Sequence, residues 1–349
     1  MARRSWTEAQ LLLEEAEKCG VCLVSTSEVM NQRLRRLVRS GEALSPLPGM
    51  FIRCQTWNDM HPDARDLFKV RTLAAQHPNW VFCRQSAALV HGLWIPWKAC
   101  GDIHVMTSVE SNCQNASGIT RHHVGTLRSV IVEGVRVTTL DRTAFDCLRS
   151  LSFEAGLGVA DSWLRMAGGT RGDLLNLVER MGASCPGVRQ AWETASFSDG
   201  RSENGGESYA RAVMIGLGFE APELQVEVRD PIDSQHVFRP DYKWSLRDGS
   251  IVYGELDGLH KYSDPEMTKG LTSEQVRQNE RIRESRIALP GCSVVRFSMR
   301  DVRDPGRLAA ILSLYHVPQQ ASGARRSRIV TRHVRDSTYQ VEERIFDRR

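Results

Sequence analysis

The chain has 349 residues, 41% hydrophobic content and a formal net charge of +4. This length exceeds that of one ordinary domain, and no apolar run of about 18 residues is present, which excludes a membrane-spanning helix. Nine scattered cysteines and a Glu-rich start without an apolar leader indicate a reducing compartment. We therefore expect a cytoplasmic protein of two or three domains, with no membrane partner.

The first fifty residues carry signals for two helices and a hairpin. One amphipathic helix is predicted from about Thr7 to Lys18, and a second from Val29 to Ser40, preceded by a Ser/Thr-rich start signal. Pro and Gly in the segment 44–53 predict a short β-hairpin. This order predicts a winged helix-turn-helix over residues 1–57, with the second helix in the major groove of DNA.

The second predicted helix is strongly basic. Its apolar stripe is surrounded by four arginines, which are Arg33, Arg35, Arg36 and Arg39. Because arginines on a groove-reading helix contact phosphates, these are the candidate DNA-binding residues, and double-stranded DNA is the expected partner. The alternative is that the four charges only keep the helix soluble.

The N-terminal half resembles a known family of regulators. Residues 27–51 resemble the N-terminal domain of AbiEi-type antitoxins and related transcriptional regulators. Three further motifs look like landmarks of the domain that follows in such proteins, namely 84–93, 102–105 and 137–146. The resemblance implies an α/β middle domain over residues 58–195 and a cognate toxin or defence-system protein as partner. The apolar residues between about 150 and 195 predict helices there. His91 and His104 are expected to pack or hydrogen-bond at element ends, because no compact metal-ligand set surrounds them.

A polar segment separates this half from the next. Residues 196–206 are rich in Ser, Asp, Gly and Asn and form the predicted interdomain linker. A helix is predicted from Asn204 to Phe219, with Glu207 in its first turn. The helix dipole favours an anion there, so a capping role for Glu207 is the alternative to a catalytic one.

Three carboxylates and an imidazole follow on what the sequence predicts to be one β-hairpin. Asp241 lies in an alternating stretch from Val237 to Trp244. Glu255 and Asp257 share a face of the next stretch, from Ile251 to Asp257, and His260 comes just after. Clustered carboxylates repel one another unless a divalent cation such as Mg²⁺ (or Mn²⁺) lies between them. The hairpin therefore predicts a metal site with Asp241, Glu255 and Asp257 as ligands. The alternative is that these acids are only solvated turn residues.

The order of these residues resembles a nuclease superfamily. Glu207 in a helix, Asp241, Glu255-x-Asp257-Gly-x-x-His260, an Arg/Glu-rich helix at 275–288 and the strand 293–298 look like PD-(D/E)xK nucleases. They are most similar to the branch related to very-short-patch-repair endonucleases. The resemblance implies a restriction-endonuclease-like mixed sheet flanked by helices over residues 207–318, and metal-dependent hydrolysis of a DNA phosphodiester.

The resemblance also implies roles for the residues. Asp241 and Glu255 would hold the cation, Asp257 would be a further ligand or a base, and His260 would relay a proton. The superfamily's usual lysine is replaced by Asp257, so Lys243 or Lys261 would supply the missing positive charge. Three residues of this region are candidates for contact with the DNA backbone, namely Lys243, Lys261 and Arg281.

The chain ends in a basic tail, predicted over residues 319–349. From Ala321 onward eight arginines face four acids, a net charge of +4 that equals that of the whole protein. Such a tail is commonly solvated, and it would add nonspecific attraction to a polyanion.

The sequence therefore predicts an α/β (α+β) protein with a winged-helix module, an α/β middle domain and a nuclease-like C-terminal domain. The expected function is a metal-dependent DNA endonuclease that its N-terminal module guides to DNA, in phage defence or DNA repair. The alternative is a non-enzymatic, antitoxin-like DNA-binding transcriptional regulator with a degenerate nuclease fold, as in toxin–antitoxin systems.

Overall fold

The computed structural model describes residues 8–108, 115–124, 128–183, 185–230, 237–257 and 291–320, with the backbone of two strands at 330–334 and 337–341. The chain divides into two compact units, residues 1–198 and 199–349. This division falls inside the segment 196–206 predicted as a linker. Helices and sheets with mixed strand directions confirm the α/β class.

The N-terminal part of the first unit holds two helices and a three-stranded antiparallel sheet. Its elements are α1 (Glu8–Lys18), β1 (Leu23–Val24), α2 (Glu28–Arg39), β2 (Ala43–Leu44) and β3 (Met50–Arg53). The Ser27 side chain caps α2 by accepting a hydrogen bond from the Met30 amide. Leu13, Leu34 and Phe51 join the two helices to β3 in one apolar cluster. The elements predicted over residues 7–53 are therefore present.

A five-stranded mixed sheet follows. The elements of this part are α3 (Cys54–Asp59), α4 (Pro62–Gln76), β4 (Val81–Phe82), α5 (Arg84–His91), a 3-10 turn (Trp97–Ala99), β5 (Ile103–Ser108), β6 (Ile119–Val124), β7 (Val130–Val132) and β8 (Val135–Val137). The strand order is β6-β5-β4-β8-β7. The pairs β5–β6 and β4–β8 are parallel, and the pairs β4–β5 and β7–β8 are antiparallel.

These two parts of the first unit share a hydrophobic core. Met50 and Ile52 of β3 lie in the same buried cluster as Phe82, Ile103 and Val137 of the five-stranded sheet. The segments 1–57 and 58–195, which the sequence suggests as separate domains, are thus joined by common apolar burial, the main stabilising contribution to folding.

Four helices complete the first unit. They are α6 (Leu140–Leu148), α7 (Phe153–Ala167), α8 (Arg171–Gly182) and α9 (Val188–Ser196). A Thr or Ser side chain caps the start of each of the first three, at Thr139, Ser152 and Thr170. Their apolar faces enclose a second core around Phe145 and Trp163. The helical character predicted for about 150–195 is confirmed.

The second unit is built on a four-stranded sheet. Its elements are α10 (Gly205–Gly216), β9 (Glu223–Leu224), β10 (Val228–Arg229), β11 (Val237–Phe238), β12 (Tyr242–Ser245), β13 (Ile251–Asp257), β14 (Cys292–Ser298), α11 (Met299–Val302), α12 (Pro305–Leu314), β15 (Val330–Val334) and β16 (Ser337–Val341). The main sheet has the order β14-β13-β12-β9, with β13 and β14 parallel and β12 antiparallel to both its neighbours. Two further antiparallel pairs are β10–β11 and β15–β16.

Two boundaries differ from the predicted ones. Helix α10 already begins at Gly205, so the last two residues of the predicted linker are helical, and it ends at Gly216 rather than Phe219. The single strand predicted over Val237–Trp244 is two strands, β11 and β12. Pro240 lies at the break, where it has no N–H to donate to a strand ladder.

Helices cover one face of the main sheet. Met214 of α10 and Leu308 of α12 share a core with Tyr242 and Phe297 of the strands. On β13, Gly254 lies beneath the Trp244 ring, where an added Cβ would be only 2.8 Å from a ring carbon. Strand alternation places Lys243, Glu255 and Asp257 on the opposite face from this core.

Among the described residues, no helix combines the length and the apolar character needed to cross a bilayer.

Candidate active site

Glu207 is fixed at the first turn of α10. Its carboxylate accepts hydrogen bonds from the Glu203 amide at 2.7 Å and from Asn204 Nδ2 at 2.6 Å. Asn204 Oδ1 in turn accepts from the Glu207 amide at 3.1 Å, which caps the helix. The Tyr242 hydroxyl donates to the Glu207 carbonyl oxygen at 2.9 Å. Asn204 is therefore the residue that caps the helix, and its side chain and the Glu203 amide hold the Glu207 carboxylate in one place.

Asp241 lies just before β12, beside β13. Its Oδ2 accepts a hydrogen bond from the Leu256 amide at 2.8 Å. Tyr242 pairs with Gly254 in the antiparallel register, so continuing that register by one residue sets Asp241 opposite Glu255. The structure thereby brings together two of the predicted metal ligands on neighbouring strands.

Gln225 links Glu207 to Asp241. Its Nε2 lies 3.5 Å from Glu207 Oε2 and 3.4 Å from Asp241 Oδ1, so both carboxylates border one amide. Gln225 has a φ of +50°, a conformation uncommon for residues other than glycine. Its Oε1 is buried, and within the described part of the chain no hydrogen-bond partner reaches that oxygen. Sequence reasoning missed Gln225, because a lone Gln outside any pattern gives no signal.

The Glu207 carboxylate is difficult to ionise where it lies. Burial raises the pKa of Glu207 from 4.5 to about 7, and the negative charge of Asp241 adds to the rise. Glu207 is only 5% exposed, so water offers little relief from this repulsion. A cation placed between the carboxylates would remove the cost of holding both ionised.

Glu255 is engaged on its other side by Arg296. Residues 255 and 296 are direct partners in the parallel β13–β14 register, and Arg296 Nη2 lies 3.0 Å from Glu255 Oε2. Asp257 is partly buried two residues further along, opposite Ser298. We call Glu207, Asp241 and Glu255 the carboxylate cluster. Sequence reasoning missed Arg296, because its role depends on which strand lies beside β13.

The remaining predicted residues of this unit are not all at the cluster. Lys243 Nζ lies 3.1 Å from Glu223 Oε1 on the neighbouring strand β9, so this ion pair lies outside the cluster. His260, Lys261, Arg281 and the predicted helix 275–288 lie outside the described residues.

The donor set suits a hard divalent cation in part. Among the described residues, no group of three or more His, Cys, Asp or Glu side chains is arranged to hold a metal ion. However, Mg²⁺ commonly binds through one or two carboxylates and keeps several waters. Glu207 and Asp241 supply two carboxylates, but the Gln225 atom that lies at both of them is Nε2, and the amide would have to turn over to present Oε1 to a cation. Two carboxylates are therefore what these residues offer a hydrated Mg²⁺ or Mn²⁺ ion, with Glu255 turned toward Arg296.

The basic helix α2 of the first unit is only partly neutralised. Arg33 forms an ion pair with Glu8 of α1, and Arg35 lies 3.7 Å from Glu28. Arg36 and Arg39 are exposed and have no recorded ion pair in the part of the chain that the structure describes. Of the four predicted DNA-binding arginines, Arg36 and Arg39 therefore form no ion pair with Glu8 or Glu28.

The histidines of the middle segment are held by local contacts. His91 Nε2 lies 2.7 Å from the Thr138 carbonyl oxygen, at the end of α5, as expected. His104 Nδ1 lies 3.0 Å from His122 Nε2 across the parallel β5–β6 pair. Burial, followed by the charge of Arg84, lowers the pKa of both rings, and that of His122 falls to about 4. Both rings are therefore neutral at physiological pH.

Comparison with known proteins finds distant relatives. No protein-family model matches the chain. Two proteins of Mycobacterium tuberculosis, uncharacterized protein MT2308 of strain CDC 1551 / Oshkosh and uncharacterized protein Rv2248 of strain ATCC 25618 / H37Rv, are each 31% identical to it over 182 residues. The match covers 51% of this chain and 61% of each relative. The chain thus spans about three fifths of the relatives it matches, and their names state no activity.

Proposed function

We propose that the second unit is a Mg²⁺- or Mn²⁺-dependent endonuclease that hydrolyses phosphodiester bonds of double-stranded DNA. The observation that carries the proposal is the burial of Glu207 beside Asp241, with the Gln225 amide between them. Placing two carboxylates together away from water is unfavourable unless a cation or a proton compensates. A cation bound at a catalytic site would offset the repulsion between the two carboxylates. The resemblance to PD-(D/E)xK nucleases supports the same chemistry.

Different residues would bind the cation, accept the proton of the attacking water and pass that proton to solvent. Glu207 and Asp241 would hold the cation through their carboxylates, with water as the remaining ligands. When bound, Mg²⁺ supplies Lewis-acid polarisation of a phosphate oxygen and a lowered pKa for water. Asp257, on the same face as Glu255 and partly exposed, would accept the proton of the attacking water. His260, predicted from sequence, would relay that proton to solvent.

The first unit would bring the protein to DNA. Arg36 and Arg39 are exposed on α2, and each would neutralise a backbone phosphate. The resemblance of residues 27–51 to AbiEi-type antitoxins supports DNA binding by this helix. It also supports a setting in phage defence or DNA repair, with a toxin or defence-system protein as a further partner.

The test is nicking of supercoiled plasmid by the full chain in Mg²⁺ or Mn²⁺. Asp241→Asn should abolish nicking, because it removes a ligand charge, while leaving duplex affinity within about twofold, since that affinity rests on arginines. Asp248→Asn is the matched control. Asp248 is an exposed carboxylate in the turn of the same hairpin, where it accepts hydrogen bonds from Ser250, and its loss should leave nicking unchanged.

Two outcomes would contradict the proposal. Equal nicking by Asp241→Asn and wild type would place the reaction elsewhere. Failure to cleave double-stranded, single-stranded or mismatched DNA with either ion, together with a metal-independent footprint on a specific sequence, would establish the antitoxin-like regulator instead.

A further inference from the structure

Two arginines of the first unit share one buried carboxylate. Asp146 of α6 is 3% exposed, and it accepts hydrogen bonds from Arg142 Nε at 2.6 Å and from Arg149 Nε at 2.7 Å. The Arg142 side chain is 37% exposed and that of Arg149 is 18% exposed, so solvent reaches both guanidinium groups. Two positive charges and one negative charge leave this group with a net charge of +1.

A third arginine lies beside this group. Arg84 is the first residue of α5, which packs against α6, and it is partly buried. Within the part of the chain that the structure describes, no hydrogen bond or ion pair of Arg84 is recorded. Its φ of +48° is uncommon for a residue other than glycine. Because a guanidinium group keeps its proton at physiological pH, its partial burial is unfavourable until an anion compensates the charge.

The three arginines lie close enough to act on one buried thiol. Burial raises the pKa of Cys83 to about 12, and the charge of Asp146 adds to the rise. The charges of Arg84, Arg142 and Arg149 each lower the same pKa. Three guanidinium groups thus lie in the region of one buried carboxylate, where they give a net charge of +2.

Two neutral imidazoles border Arg84. His104 Nδ1 lies 3.0 Å from His122 Nε2, and after burial the charge of Arg84 is the next cause that lowers the pKa of both rings. Asp66 and Asp102 act on His104 in the opposite sense, but Asp66 already forms an ion pair and Asp102 is exposed. In either tautomer one N–H is used between the rings and one remains to donate elsewhere. The pair therefore adds a donor without adding negative charge.

We propose that Arg84, Arg142 and Arg149, together with the His104–His122 pair, bind a phosphate group that carries two negative charges. Its source is inorganic phosphate or the terminal phosphate of a phosphomonoester. A dianion matches the net charge, and the planar donors of a guanidinium group match the oxygens of phosphate.

The inference is independent of the proposed function. The phosphate site shares no residue with the carboxylate cluster or with the arginines of α2. Its partial burial favours a compact terminal phosphate over the continuous backbone of duplex DNA. The first unit would then respond to a small phosphorylated ligand as well as carry the candidate DNA-binding helix.

The experiment is calorimetric titration of the full chain with inorganic phosphate and, separately, with 5′-AMP, at constant ionic strength. Saturable binding of either compound is the expected result. Tighter binding of 5′-AMP would identify a phosphomonoester as the ligand, whereas tighter binding of inorganic phosphate would identify the free ion.

Variants of two arginines test the site. Arg84→Gln should weaken phosphate binding on the order of tenfold or more, the effect of losing one hydrogen-bonded charge. Arg180→Gln is the matched control, because Arg180 is exposed on α8 and its loss removes the same charge. Its affinity should stay within about twofold of wild type, since exposed charges are screened.

Thermal unfolding separates a binding role of Arg84 from a structural one. Without phosphate, Arg84→Gln should unfold at the same temperature as wild type or higher, because it removes a partly buried charge that has no recorded partner. Phosphate should raise the Tm of wild type and leave that of Arg84→Gln unchanged, because only a bound ligand stabilises the folded state.

Histidine resonances locate the bound phosphate if Arg84→Gln does not fold. In wild type labelled with ¹⁵N-histidine, phosphate should shift the ring signals of His104 and His122, and His122→Gln identifies one of them. Arg142→Gln, which leaves Asp146 paired with Arg149, should weaken binding several-fold and reduce these shifts.

Four results would overturn the inference. Neither compound binds saturably, or folded Arg84→Gln binds phosphate as tightly as wild type. Arg84→Gln and Arg180→Gln weaken binding equally, which would indicate nonspecific attraction. Phosphate binds without moving the signals of His104 and His122, which would place it elsewhere.

Discussion

Replacing Tyr242 by Phe should destabilise the second unit and weaken binding of the cation that we propose for Glu207 and Asp241. Tyr242 is fully buried, and its hydroxyl donates to the Glu207 carbonyl oxygen at 2.9 Å. Phe keeps the ring contacts with Trp244 and Phe297 and creates no large cavity. The change therefore removes one hydrogen bond between β12 and the first turn of α10.

The expected loss is about 1 kcal/mol of unfolding free energy, the net contribution of one such bond. For a unit of this size, that corresponds to a fall in Tm of about 2–4 °C. Mn²⁺ should also bind several-fold more weakly, because Glu207 is less firmly placed. Hydrogen exchange of peptides from α10 and β12, together with thermal unfolding of the full chain, would measure the first effect, and calorimetry the second.

Tyr253→Phe is the matched control. Tyr253 is 6% exposed on the adjacent strand β13, and no hydrogen bond of its hydroxyl is recorded within the described structure. Its replacement should change stability by less than about 0.5 kcal/mol. Equal effects of the two substitutions on stability and on Mn²⁺ binding would refute the reasoning that the Tyr242 bond fixes Glu207.

Two further predictions concern the first unit. His122 has a pKa of about 4 in the folded protein, chiefly through burial and then through Arg84, against about 6.5 when unfolded. Between pH 4 and pH 6.5 the unfolded chain binds more protons at this ring than the folded protein does. The contribution of neutral His122 to the free energy of unfolding is therefore complete above pH 6.5 and is lost as the pH falls toward 4. For this partly exposed ring the loss should be about 1–2 kcal/mol. Urea unfolding should give a lower free energy of unfolding at pH 5 than at pH 7.5, and the difference should be smaller in His122→Gln. The same difference in both proteins would show that His122 does not cause the pH dependence. Replacing Arg36 and Arg39 together by Ala should lower the slope of log affinity for duplex DNA against log salt by up to about 2, at roughly 0.9 per phosphate. In anisotropy titrations Arg33→Ala should lower it less, because Arg33 is already paired with Glu8, and an unchanged slope in the double variant would remove α2 from the DNA-binding surface.

Local patterns predicted the elements of the candidate site well. The alternation of Ile251–Asp257 predicted the bounds of β13, and the helical spacing from Asn204 predicted the start of α10 to within one residue. Both signals lie within a few residues of the element that they define. Pro240 also gave a local signal, and its break between β11 and β12 could have been predicted.

The partners of these elements could not be predicted in the same way. Arg296 faces Glu255 only because β14 lies beside β13 in one particular register, and Gln225 lies between the acids only because the loop after β9 returns to Asp241. Periodicity states which face of a strand is apolar, but it does not state which strand is its neighbour. The contacts of Arg296 and Gln225 with the acids therefore depend on pairing between distant segments, which local sequence patterns do not predict.

The core that joins β3 to the five-stranded sheet determines how the protein can be divided. Met50 and Ile52 lie among Phe82 and Ile103, so cutting the chain after residue 53 would expose a large apolar surface on both fragments. Such a truncation would aggregate rather than report on DNA binding. A chimaera should instead exchange residues 1–198 as one cassette, joined between Ser198 and Asp199, where the two compact units meet in sequence.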